Sequence, residues 1–132
     1  MTEHNHAVIW IDHHEAKIFH FNATEVESLV LHPKNPHVHL HHKANSIGSG
    51  HASEDKAYLH AVVEAIGSSK AVLITGPGMA KTALVKHIAA HDPKVMESIL
   101  GVETVDHPSD GALLAHARAY FKVEDRLTPQ KL

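Results

Sequence analysis

Ala71-Val72-Leu73-Ile74-Thr75, followed by Gly76-Pro77-Gly78, is the stretch on which the fold turns. Its apolar run is too short for a core helix and shows no polar alternation. That fits a central strand buried on both faces of a parallel arrangement. Beyond the Gly-Pro-Gly turn, Ala80, Leu84, Val85 and Ile88 recur at helical spacing and define one apolar face. Strand, tight turn and helix together predict a crossover unit.

The same reading extends in both directions. Upstream, Ser53 is a plausible N-cap, with Glu54 and Asp55 suited to a positive helix start. Leu59, Val62, Val63 and Ile66 then form an apolar helical face, and Gly67 closes the helix. Downstream, Asp92-Pro93 predicts the N-cap and first residue of a short helix ending at Gly101. A strand over Val102–Asp106 follows. Ser109 then caps a last helix whose Leu113, Ala117, Tyr120 and Phe121 face inward.

The first third is β-rich. His6–Asp12, Lys17–Phe21 and Val26–His32 are separated by short polar connections, which suits an antiparallel meander. Pro33 and Pro36 end the pairing, and Pro33–Ala52 reads as a long histidine-rich loop. The predicted order is therefore β-β-β, loop, α, β, α, α, β, α. Three antiparallel strands followed by two parallel crossovers give an α/β, ribonuclease-H-like mixed five-stranded sheet with flanking helices. The 132 residues fit one domain, with a core over about 6–122 and a polar tail over 123–132.

Composition removes several function classes. With no cysteine there is no disulfide framework, thiolate zinc site or cysteine nucleophile. No stretch approaches the roughly 20 apolar residues of a membrane span, and MTEHNHAVIW lacks a signal-peptide pattern, so the expected location is cytoplasmic. Histidine is the unusual residue: its 16 copies outnumber the 12 of Lys and Arg together. Net charge is −3 with histidines neutral, and protonating all of them would carry it to +13. At neutral pH the chain lacks the basic excess of a generic nucleic-acid binder.

On the strand and turn Val72–Gly78 followed by Lys81, and on Val102–Asp106 followed by Ser109-Asp110-Gly111-Ala112, the chain resembles a known family. It is similar to the middle domain of the archaeal and eukaryotic peptide-release factor and Pelota family, including small stand-alone bacterial relatives. The resemblance runs from about His6 to Phe121. It implies a translation-associated binding role, with the ribosome, rRNA or tRNA, or a translation factor as partner. In release factors the loop after the third strand carries Gly-Gly-Gln, which promotes peptidyl-tRNA hydrolysis. The corresponding loop here has Gly48, Ser49, Gly50 and His51, and the only glutamine of the chain is Gln130. Release activity is therefore not expected.

Four constellations bear on chemistry. Thr75–Thr82 is compared with a phosphate-binding Walker loop. It lacks the glycine before Lys81, where Ala80 stands, and Pro77 removes an amide donor. Nucleotide hydrolysis is not expected; the turn reads first as a tight strand-to-helix connection, with Gly76, Gly78 and Lys81 as candidate phosphate or RNA contacts and Lys43 a further basic candidate. Asp12 ends the first strand, where a metal-dependent nuclease of this fold would need it to converge with carboxylates such as Glu64, Asp106 or Asp110. Ser49 and His51 form no hydrolase triad, since no orienting acid or nucleophile elbow accompanies them.

The fourth constellation is His37-Val38-His39-Leu40-His41. In an extended segment His37, His39 and His41 point to one side, with successive Cα atoms about 6.6 Å apart. They could bind zinc or nickel, or form a solvated loop of neutral imidazoles. No cofactor is required by the leading reading. His60, His87, His91 and His116 read as scattered helix residues and receive no role.

Overall fold

Two hairpins open the chain, and the same side-chain device makes both of their turns. In this computed structural model, which describes residues 6–33 and 49–127 with side chains over 6–33 and 56–122, β1 (His6–Ile11) pairs antiparallel with β2 (Ala16–Phe21), and β2 with β3 (Val26–Leu31). Asp12 Oδ1 accepts the backbone N–H groups of His14 (2.7 Å) and Glu15 (2.9 Å). One hairpin later, Asn22 Oδ1 accepts those of Thr24 (2.9 Å) and Glu25 (2.8 Å). A short Asx side chain mimicking a backbone turn explains why four-residue connections suffice.

The chain then enters α1 (Ser49–Ile66), β4 (Ala71–Gly76), α2 (Ala80–His91), α3 (Pro93–Met96), β5 (Ile99–Thr104) and α4 (Asp110–Leu127). The sheet order is β3-β2-β1-β4-β5, with β4 parallel to both β1 and β5. This is the mixed, ribonuclease-H-like five-stranded sheet expected from the sequence. Val72, Leu73, Ile74 and Thr75 are fully buried, as expected for a central strand.

Strict alternation divides the core into two halves. Ala7, Ile9 and Ile11 of β1 pack with Val72 and Ile74 against α1 and α2, through Leu59, Val62, Ile66, Leu84 and Ile88. Val8 and Trp10 point the other way, with Phe19, Phe21 and Leu73, against Leu113, Ala117 and Phe121 of α4. Each large aliphatic side chain buried completely contributes roughly 1.5–3 kcal/mol. Charge at Ile9 or Leu84 would therefore be disruptive. At the edge, β3 leaves Val26 and Val30 exposed.

Local boundaries depart from expectation in three places. The short helix ends at Met96 rather than at Gly101, and β5 begins at Ile99 rather than at Val102. Gly101 is a strand residue here. It pairs with Leu73, and a Cβ at this position would run into the Tyr120 ring. Tyr120 donates its hydroxyl proton to the Leu100 carbonyl at 3.0 Å, so pairing and packing override the helix-stop reading. α1 starts at Ser49, four residues before the expected cap at Ser53, which brings Ser49-Gly50-His51 into its first turn. α4 continues to Leu127, into the stretch read as a tail, because no helix breaker occurs before Thr128-Pro129. Gly67 does close α1, with φ +62°. Ser109 does cap α4, its Oγ accepting the Ala112 N–H at 3.1 Å.

Candidate functional site

Residues 75–81 form one continuous feature at the end of β4. The Thr75 hydroxyl is buried and donates to the Ile9 carbonyl at 2.8 Å. Gly76 still belongs to the strand, its carbonyl accepting the Val105 N–H at 2.9 Å. A Cβ there would collide with the Ile11 backbone carbonyl, so only glycine lets β4 lie this close to β1. Gly78 faces open space. Met79 is 67% exposed at the tip, and α2 begins with no side-chain cap. The free N–H groups of that first turn can meet an anion. Lys81 is buried, and its ammonium donates to the Gly78 carbonyl at 2.7 Å. It thus fastens the turn, a bond that uses one of the three protons an ammonium carries.

Of the expected site residues, the structure brings Gly76, Gly78 and Lys81 together. Lys43, Gly48, His37, His39 and His41 lie outside the described residues. Ser49, Gly50 and His51 are described only as backbone at the start of α1.

The carboxylates considered for nuclease chemistry take separate roles. Asp12 Oδ1 makes the first hairpin turn, and its Oδ2 lies 3.9 Å from His107 Nε2. His107 Nδ1 is 2.8 Å from Asp106 Oδ1. Asp110 pairs with Lys17 at 3.0 Å, while Glu64 sits on α1, 3.3 Å from His60. Among the described residues, these carboxylates do not gather into a metal-binding group. Trp10 braces this end of the sheet. Its indole N–H donates to the Asp106 carbonyl at 2.6 Å, and its ring meets that of His107 at 4.9 Å. Tyr58 donates to the Asp12 carbonyl at 3.0 Å. Burial, and then the charges of Asp12 and Glu15, push its phenol well above the ordinary tyrosine range.

The nearest cavity, between His13, Tyr58, Leu59, Ala80 and Ala83, holds about 60 Å³. That is far below the size of an ordinary small-molecule pocket. A larger hollow of about 310 Å³ lies against Phe21, Asn22, Arg118 and Phe121. Its Arg118 already donates to the carbonyls of Asn22 (3.0 Å) and Glu25 (3.3 Å), which ties α4 to the second hairpin. Neither hollow contains a nucleophile paired with a base.

Sequence reading missed one group. His60 of α1 approaches His87 of α2 and Asp92 just beyond it, with one ligand atom from each lying within 4.8 Å of the others. Burial, and then the neighbouring His91 and His60, lower the His87 pKa. Nothing in the spacing of residues 60 and 87 signals this meeting, because it depends on how two helices pack.

No sequence-family model and no curated protein matches this chain. Among the described residues, no helix is long and apolar enough to cross a membrane. Solved structures do match. The crystal structure of Archaeoglobus fulgidus Pelota superposes with a TM-score of 0.57 and 13% identity, over 86% of this chain and 30% of that one. The archaeal translation termination factor aRF1 gives 0.52 and 15% identity, over 92% of this chain and 38% of that one. The chain therefore spans well under half of either protein, and what it shares with them is the fold of a domain-sized part, as the sequence resemblance implies.

Proposed function

We propose that this chain is a non-catalytic binding domain of the translation apparatus, contacting ribosomal RNA or a translation factor in the cytoplasm and having no peptide-release activity. The observation that carries this reading is a fold likeness to Pelota and aRF1 extending over 86–92% of the chain. Two features agree with it. The only glutamine, Gln130, stands about eighty positions along the sequence from the loop where a release motif would sit. At the end of β4, an uncapped helix start and the Lys81 ammonium offer a contact for a backbone phosphate.

Co-sedimentation with purified ribosomes tests the proposal. The protein should pellet with ribosomes at low ionic strength and be released as salt rises, because phosphate contacts displace counterions. Lys81→Met keeps the buried stem and removes the charge, so it should weaken the pelleting while costing only about 1 kcal/mol of stability, for the lost bond to the Gly78 carbonyl. Failure of the wild-type protein to pellet at low salt would overturn the proposal. Programmed ribosomes should release no peptide above background when the protein is added.

A further inference from the structure

From the meeting of α1 and α2, we infer that His60, His87 and Asp92 form a binding site for a borderline divalent transition ion such as Zn²⁺. This goes beyond the translational reading and does not depend on it. One ligand atom from each residue lies within 4.8 Å of the others. A tetrahedral zinc ion with bonds of about 2.0–2.1 Å needs its ligands roughly 3.3 Å apart. Side-chain rotation closes that difference, since His60 is exposed and the Asp92 carboxylate is not committed to its usual task.

Two observations set this group apart from a chance surface cluster. The Nε2 atom of His87 is buried without a hydrogen-bond partner, although a buried polar atom ordinarily has one. A metal ion would complete it. Asp92 occupies the N-cap position of α3, where an aspartate normally accepts a helix N–H, yet its side chain makes no cap hydrogen bond. Its backbone is nevertheless fixed. The Asp92 N–H donates to Ile88 (2.8 Å), and its carbonyl accepts from Val95 (2.9 Å). The carboxylate is thus held beside the two histidines and left free to ligate.

The surroundings complete the chemistry. Glu64 lies 3.3 Å from His60 Nε2 and gives that imidazole the carboxylate partner that orients a ligating histidine. His91 packs beside His87, with ring centroids 4.6 Å apart. Two imidazoles and one carboxylate suit Zn²⁺, Ni²⁺ or Co²⁺ rather than Mg²⁺ or Ca²⁺, which prefer all-oxygen shells. Three protein ligands leave a position open to solvent, as in an exchangeable site rather than a closed structural one.

The test must separate this site from the His37, His39 and His41 run. A background in which those three are alanine is stripped of metal and titrated with Zn²⁺ by calorimetry, and with Co²⁺ by visible absorption. One equivalent should still bind. Within that background, His87→Gln and Asp92→Asn should each weaken binding at least about tenfold, and Glu64→Gln by a smaller factor. His116→Gln should change nothing. Circular dichroism melts of the stripped variants check that they are folded. Loss of all binding in the triple-alanine background would overturn the inference, as would unchanged affinity in both folded variants His87→Gln and Asp92→Asn.

Discussion

The end of β4 and the seam between α1 and α2 are both rich in polar groups, and they use them in opposite ways. Around the turn, the Thr75 hydroxyl, the carbonyls of Gly76 and Gly78, the Trp10 indole and the Asp12 carboxylate all hold hydrogen bonds. Between the helices, His87 Nε2 is buried with no partner and Asp92 caps nothing. A dense set of titratable groups is therefore not in itself a site. Where such groups satisfy one another they hold the fold first, and a polar atom that packing leaves unpaired is the clearer mark of a ligand.

The largest effect expected from this contrast lies at the turn. Gly76→Val pushes a side chain into the rigid Ile11 carbonyl and should cost about 3 kcal/mol in urea unfolding. Gly78→Ala meets open space and should stay within about 0.5 kcal/mol of wild type. Equal losses at the two positions would break the assignment of Gly76 as architectural.

Tyr58→Phe should cost about 1 kcal/mol through loss of the bond to the Asp12 carbonyl. It also carries a pH signature. Because folding raises the phenol pKa, its contribution is fully present below an ordinary tyrosine pKa of about 10 and is lost as pH rises beyond it. Wild-type stability should fall above that pH, and the variant should fall less. Parallel alkaline limbs in the two unfolding series would contradict the burial of this group.

The smallest effect sharpens the other side of the comparison. In metal-free protein, His87→Leu removes an atom with no partner, so stability should hold or rise by up to about 1 kcal/mol. Added Zn²⁺ should raise the melting temperature of wild type and leave that of His87→Leu unchanged, because only a ligand of the native state shifts the unfolding equilibrium. Destabilisation of the metal-free variant would show that the imidazole has a structural partner.

Much of the architecture was legible in the chain. The run from Val72 to Thr75 declared itself by length and lack of alternation, and the apolar faces of all three long helices followed from helical spacing. Gly101 misled because a glycine after a proline-started helix reads as a stop. Its real reason, the ring of Tyr120, lies 19 positions away in sequence and only meets it through the fold. The candidate site divided along the same line. Gly76, Gly78 and Lys81 are neighbours in sequence and could be seen together. His60 and His87 come from two helices and Asp92 from the link after the second, and no local pattern connects them. Asp92 was further disguised by standing before Pro93, where a capping role accounts for it without any other.

The fit of Tyr120 over Gly101 makes those two positions halves of a single heritable choice. A lineage that shrinks residue 120 first would leave a hollow above Leu73 and give up the hydroxyl anchor on Leu100, yet keep every backbone pairing of β5. One that enlarges residue 101 first would have to swing the Tyr120 ring aside before any compensation exists. Descent should therefore favour one order of substitution, and chimaeras that take β5 and α4 from different relatives should fail more often than those that inherit the two together.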